Sequence, residues 1–189
     1  MTKRHTKKDI GFWVLFLSLG FIYGVYLLQR DAKEGFGSLG YGTVPYFSFD
    51  DNEGEVITLH KLKGKVWLVN FLSEEDSKKY PQVAAVMKAL YDKFGDRENF
   101  RLLTVSSNDK QIDEASEEDD YQHWYFIKGD KEQLSALMKN AFYIDNRNDS
   151  FSSSLKIFLI DQNATIRGYY TISHRNDADR IEKNLIQLL

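Results

Sequence analysis

Val66-Trp67-Leu68-Val69-Asn70-Phe71 is the stretch whose reading decides the fold. A strand with one wet face alternates apolar and polar residues. This one is apolar almost throughout, so it reads as a central strand buried on both faces. Lys63-Gly64-Lys65 punctuates the chain before it, and a polar segment follows. Over residues 81–94 the apolar side chains are Val83, Val86, Met87, Leu90, Tyr91 and Phe94, which share one helical face. Pro81 suits a first helical turn and Gly95 a stop. Residues 100–106 (FRLLTVS) are the next strand. Strand, helix and strand in that order predict a βαβ unit with two parallel strands.

Upstream, residues 45–49 and 56–59 are short strand candidates joined by the turn Asp51-Asn52-Glu53-Gly54. Downstream, residues 107–120 are polar and acidic and read as a solvated loop. Residues 124–127 read as a strand. Asp130 with Gln133 predicts a capped helix burying Leu134, Leu137, Met138 and Ala141. After a polar stretch at 146–154, strands at 156–161 and 165–170 form a hairpin. A closing amphipathic helix from Asp177 buries Ile181, Leu185 and Leu188. The expected fold class for residues 44–189 is α/β: a thioredoxin-like central mixed sheet flanked by helices.

Residues 10–28 are 19 uncharged, mostly apolar residues. As a helix they span about 28 Å, close to the thickness of a bilayer core. Lys3, Arg4, Lys7 and Lys8 precede the run, so the positive-inside rule places the N-terminus in the cytoplasm. A cleaved signal peptide is the competing reading. It is disfavoured because the run exceeds the usual signal core and no A-x-A-like site follows. The expected organisation is a basic cytoplasmic tail at 1–9, a transmembrane helix at 10–28, a glycine-rich linker at 29–43 and the domain at 44–189. In a bacterial cell this anchors the chain in the inner membrane with its domain in the periplasm.

The chain of 189 residues has net charge −3. Residues 1–30 hold five basic side chains and one acid, which leaves −7 on the remainder. Such a domain is a poor match for nucleic acid, which recruits lysine and arginine. There is no cysteine, which excludes disulfides, thiolate nucleophiles and soft thiolate metal sites together. The four histidines (His5, His60, His123, His174) show no ligand spacing. Serines 150, 152, 153 and 154 lack a nucleophile elbow.

Several words resemble the Sco/SenC family, membrane-anchored copper chaperones of cytochrome c oxidase assembly. They are Phe47-Ser48-Phe49-Asp50, Leu62 through Phe71, Trp124-Tyr125-Phe126 with Gly129-Asp130-Lys131-Glu132, and Phe158-Leu159-Ile160-Asp161 with Ile166-Arg167-Gly168-Tyr169-Tyr170. The family binds copper through a C-x-x-x-C pair after the central strand and a histidine before the late hairpin. Those positions fall here on Asp76, Tyr80 and Ser153. A carboxylate, a phenol and a hydroxyl do not supply the soft sulfur that copper(I) prefers. The resemblance therefore implies the fold and the anchor without copper or thiol chemistry.

The resulting expectation is a non-catalytic protein without a cofactor, serving assembly or support of a membrane respiratory complex. A permanent accessory subunit of a respiratory or envelope complex is the alternative, and an enzyme using the carboxylates comes third. Ligands of open α/β sheets gather at the carboxyl ends of the strands. Glu74, Glu75, Asp76 and Tyr80 from one segment and Phe151 and Ser153 from another are accordingly the candidate protein-docking surface, expected to lie outside the apolar core. Three adjacent carboxylates also raise a hard-cation site, but neighbouring residues do not all point one way and no calcium-loop spacing is present.

Overall fold

A computed structural model describes residues 40–72, 80–116, 121–142, 155–172 and 177–189. The anchor expected at 10–28 lies outside them. Among the described residues no helix is long and apolar enough to cross a membrane.

The chain runs β1 (Ser48–Asp51), β2 (Val56–Thr58), α1 (Leu59–Leu62), β3 (Val66–Leu72), α2 (Tyr80–Phe94), β4 (Phe100–Ser106), α3 (Asp109–Ser116), β5 (Trp124–Lys128), α4 (Lys131–Phe142), β6 (Lys156–Ile160), β7 (Ile166–Thr171) and α5 (Asp177–Leu185). The strands make one sheet in the order β2-β1-β5-β4-β3-β6-β7. All seven residues of β3 are buried, because it sits between parallel β4 and antiparallel β6 with helices above and below. The expected βαβ unit is present, and the sheet is the mixed, thioredoxin-like one expected.

Alternation along β3 feeds two cores. Leu68 and Leu72 pack with Val83, Val86, Met87, Leu90 and Phe94 of α2 and with Ile181 and Leu185 of α5. Trp67, Val69 and Phe71 pack with Leu62 of α1 and Leu134, Ala141 and Phe142 of α4. Each such side chain contributes about 1.5–3 kcal/mol when fully buried.

The structure departs from the sequence reading in three places. Residues 107–120 are not wholly a solvated loop: 109–116 form α3. Asn108 starts that helix, its Oδ1 accepting from Gln111 N at 3.4 Å and its carbonyl from Ile112 N at 3.3 Å. Ile112 is fully buried, and Ala115 packs on the same core. One isoleucine and one alanine are too sparse to register as a periodic face; contact with the sheet supplies the stability. The first strand is displaced to 48–51. Leu59, expected to end the second strand, instead opens α1, because Thr58 Oγ1 accepts from Lys61 N at 3.2 Å as an N-cap.

Residues 40–44 lie against the start of β7. Tyr41 N donates to Ile166 O at 2.7 Å and Ile166 N to Gly42 O at 2.9 Å. Gly40 has φ +79°, and a Cβ there would stand 2.4 Å from Thr165 Cγ2, so only glycine fits.

Candidate functional site

The register brings the carboxyl ends of the three parallel strands level. Leu72 pairs with Ser106, and Ser106 with Lys128. β6 enters from the same end: Asn70 pairs with Ile157, which sets Lys156 one step beyond, and Lys156 pairs with Thr171. α2 starts at this end with Tyr80. This is the end of the sheet where ligands of open α/β sheets gather.

Of the six candidate residues, only Tyr80 is described; Glu74, Glu75, Asp76, Phe151 and Ser153 lie outside the described residues. Tyr80 is half-buried and packs against the α2/α5 core, as does Leu155 just ahead of β6. The expectation that the docking surface lies outside the apolar core fails at this residue. The first helical residue presents an aromatic ring where a small side chain would leave the core surface open.

Beneath the site lies a polar chain that sequence reasoning did not single out. Thr104 Oγ1 donates to Asn70 Oδ1 at 2.8 Å and accepts from Trp124 Nε1 at 3.0 Å. Asn70 and Thr104 are wholly buried, and among the described residues Asn70 Nδ2 has no hydrogen-bond partner. Asn70 was the one polar residue in an apolar run, and that was the available signal. At the rim, Ser106 Oγ donates to Gln111 Oε1 at 2.9 Å and accepts from Asn108 N at 3.0 Å. Lys128 Nζ bonds Asp113 Oδ1 at 2.9 Å.

Lys156 is the unusual charge at this end. It is 6% exposed, its Nζ lies 5.6 Å from the centroid of the Tyr169 ring, and burial pushes its pKa down from 10.5 to about 8. The ammonium stays charged at neutral pH and bears a desolvation cost. Between pH 8 and 10.5 the unfolded chain binds more protons at this position than the folded one. The Lys156 contribution to stability therefore rises across that window and is flat below it. Lys156→Met removes the desolvated ammonium together with the contacts it makes, so its expected signature lies in the pH dependence of stability. It should flatten the alkaline rise. Urea unfolding at pH 7 and pH 9.5 checks this; a Met variant that keeps the full rise would overturn it.

Among the described residues no group of three or more His, Cys, Asp or Glu side chains is placed to hold a metal. His123 Nδ1 bonds Gly95 O at 2.8 Å, and the His60 ring meets Tyr46 edge-on at 5.7 Å, both structural contacts. His5 and His174 lie outside the described residues.

Residues 42–175 match the sequence profile described as the AhpC/TSA family. No curated protein matches the chain. The chain is similar in structure to BsSco, described as a member of the Sco family of cytochrome c oxidase assembly proteins. That match has TM-score 0.63 and 17% identity over 82% of this chain and 98% of BsSco. It is also similar to an SCO1/SenC family lipoprotein from Bacillus anthracis, with TM-score 0.56 and 19% identity over 77% and 94% of the two chains. A putative thiol:disulfide interchange protein DsbE from Chlorobium tepidum matches with TM-score 0.58 and 15% identity over 82% and 96%. At these identities the likeness shows a shared fold.

Proposed function

The chain belongs to the AhpC/TSA family, and from that premise we propose that it is a non-catalytic, membrane-anchored, Sco/SenC-like protein serving the assembly or support of a membrane respiratory complex such as cytochrome c oxidase. The observation that carries this reading is the absence of any cysteine from the 189 residues. The fold is shared with thiol-disulfide and Sco proteins, yet thiol chemistry has no thiolate to begin it. Tyr80, which occupies the second thiol position of the resemblance, is packed against the core. The helix at 10–28 holds the chain in the membrane, and the domain faces the periplasm. The strand-end surface around Glu74, Glu75, Asp76, Tyr80, Phe151 and Ser153 docks the protein partner.

Mild-detergent capture from membranes, combined with deletion of the protein, tests the reading. Respiratory-complex subunits are expected in the capture at substoichiometric amounts, with less mature oxidase in the deletion strain. Stoichiometric recovery inside the mature complex would make the protein an accessory subunit instead. Unchanged oxidase content with no respiratory subunit captured would remove the proposal.

Two narrower outcomes follow. The purified full chain is expected to bind neither copper(I) nor copper(II) at a tight specific site, as checked by competition titration. Tight binding abolished by Asp76→Ala or Ser153→Ala would contradict this. Glu75→Ala with Asp76→Ala is expected to weaken partner capture, more so at low salt where screening is weak. Tyr80 is left in place because its ring is part of the core surface.

A further inference from the structure

β1 is shorter than the strand it borders, and that leaves part of β5 uncovered. Along β5 the odd-numbered backbone groups bond to β4, as Leu102 N to His123 O and Gly129 N to Ser106 O show. The even-numbered groups point toward β1. β1 pairs only as far as Asp51 opposite Ile127, and Asn52 N then closes on Phe126 O at 2.9 Å. Trp124 comes next, beyond the end of β1, so among the described residues its backbone N–H and C=O have no strand partner on that side; the residue as a whole is 5% exposed. Buried backbone groups are rarely left orphaned.

This open edge borders a groove of about 370 Å³ lined by Asp51, Asn52, Glu53, Tyr121, Trp124 and Tyr125, among others. It lies at the opposite end of β5 from the strand-end site. Asp51 is 7% exposed. Its two N–H donors, Glu53 and Glu55, both bond to Oδ1, at 3.0 and 2.7 Å. Among the described residues no hydrogen bond reaches Oδ2. Glu55 lies 2.5 Å from Lys61 Nζ, whereas among the described residues Asp51 and Glu53 have no ion pair. Residues 31–189 carry a net charge of −7.

We infer that this groove binds an extended, basic peptide segment of a protein partner. Its backbone would pair with the free groups of Trp124, and a lysine or arginine side chain would reach the Asp51 and Glu53 carboxylates. A strand edge supplies affinity through main-chain bonds, and the adjoining side chains supply specificity. The paired donor and acceptor of Trp124 fit a peptide unit, which a polyamine lacks. The inference is independent of the strand-end docking surface.

The probe is a fluorescein-labelled hexapeptide of alternating threonine and lysine, titrated into the full chain in neutral detergent and read by anisotropy. Saturable binding that falls with added salt is expected. Asp51→Asn keeps an oxygen for the two turn N–H groups and removes the charge. It should weaken binding about tenfold or more with an unchanged unfolding midpoint. Should that variant fail to fold, Glu53→Gln, which leaves the backbone turn bond of residue 53 in place, is expected to weaken binding in the same direction. Methylating alternate peptide nitrogens should abolish binding, and the threonine–glutamate peptide should not bind. No saturation by about 1 mM, equal binding of the glutamate peptide, or full binding of the N-methylated peptide would each overturn the inference.

Discussion

Phe71→Ala is expected to lower the stability of the domain by about 3–5 kcal/mol, the largest loss from any single side chain discussed above. Phe71 is 1% exposed on the central strand. Its ring meets Phe142 at 5.0 Å and Phe158 at 6.2 Å, and those two rings meet each other at 4.9 Å. The trio ties the last residue of α4 and the third residue of β6 to β3. Truncation removes apolar burial and leaves a void that a sheet held on both sides does not collapse to fill. Because the trio stands at the carboxyl end of β3, amide exchange should quicken in α4 and at the start of β6 before it does in α2. Urea unfolding together with hydrogen exchange measures both effects. A loss below about 1 kcal/mol, typical of surface positions, would mean that the trio does not hold this end of the fold.

Thr104→Val is expected to cost about 2–4 kcal/mol although it leaves no cavity, since the two side chains have nearly the same shape. The hydroxyl both donates to Asn70 Oδ1 and accepts from Trp124 Nε1. Removing it strands a buried acceptor and a buried donor beside Asn70 Nδ2, which already has no hydrogen-bond partner among the described residues. An unmade buried hydrogen bond costs more than a made one contributes. Thr104→Ser retains the hydroxyl and should lose only about 1 kcal/mol, the worth of one methyl group. The double variant Asn70→Leu with Thr104→Val should be more stable than Thr104→Val alone, since the orphaned amide is gone. Denaturation curves for the wild type, Asn70→Leu, Thr104→Val and the double variant form the necessary cycle, with Thr104→Ser measured beside them. If valine and serine at position 104 cost the same, the polar chain is not holding the centre of the sheet.

The core and the topology were legible because they repeat. The apolar run at 66–71, the single face at 81–94 and the strand at 100–106 each contain several residues carrying one signal, and the observed β3, α2 and β4 follow them closely. α3 was not legible, because its burial rests on Ile112 and Ala115 alone. Of the candidate site, Tyr80 is the described residue, and it opens α2 at the carboxyl end of β3. What Tyr80 packs against was not legible, because a helix's first residue carries no periodic mark of its surroundings.

Cysteine is a matter of composition, so its absence, and with it the loss of thiol chemistry, was determined by the sequence alone. So was the nearly unbroken apolar run that makes β3 central, since a strand apolar on both faces has no stable place at a wet edge. Only the tertiary structure decided which polar residues meet. Asn70, Thr104 and Trp124 lie 34 and 20 positions apart along the chain and become neighbours through the parallel register of β3, β4 and β5. The open backbone of Trp124 likewise exists only because β1 ends at Asp51 opposite Ile127. Where a strand runs out against its neighbour depends on pairing between distant segments, and local propensity carries no record of it.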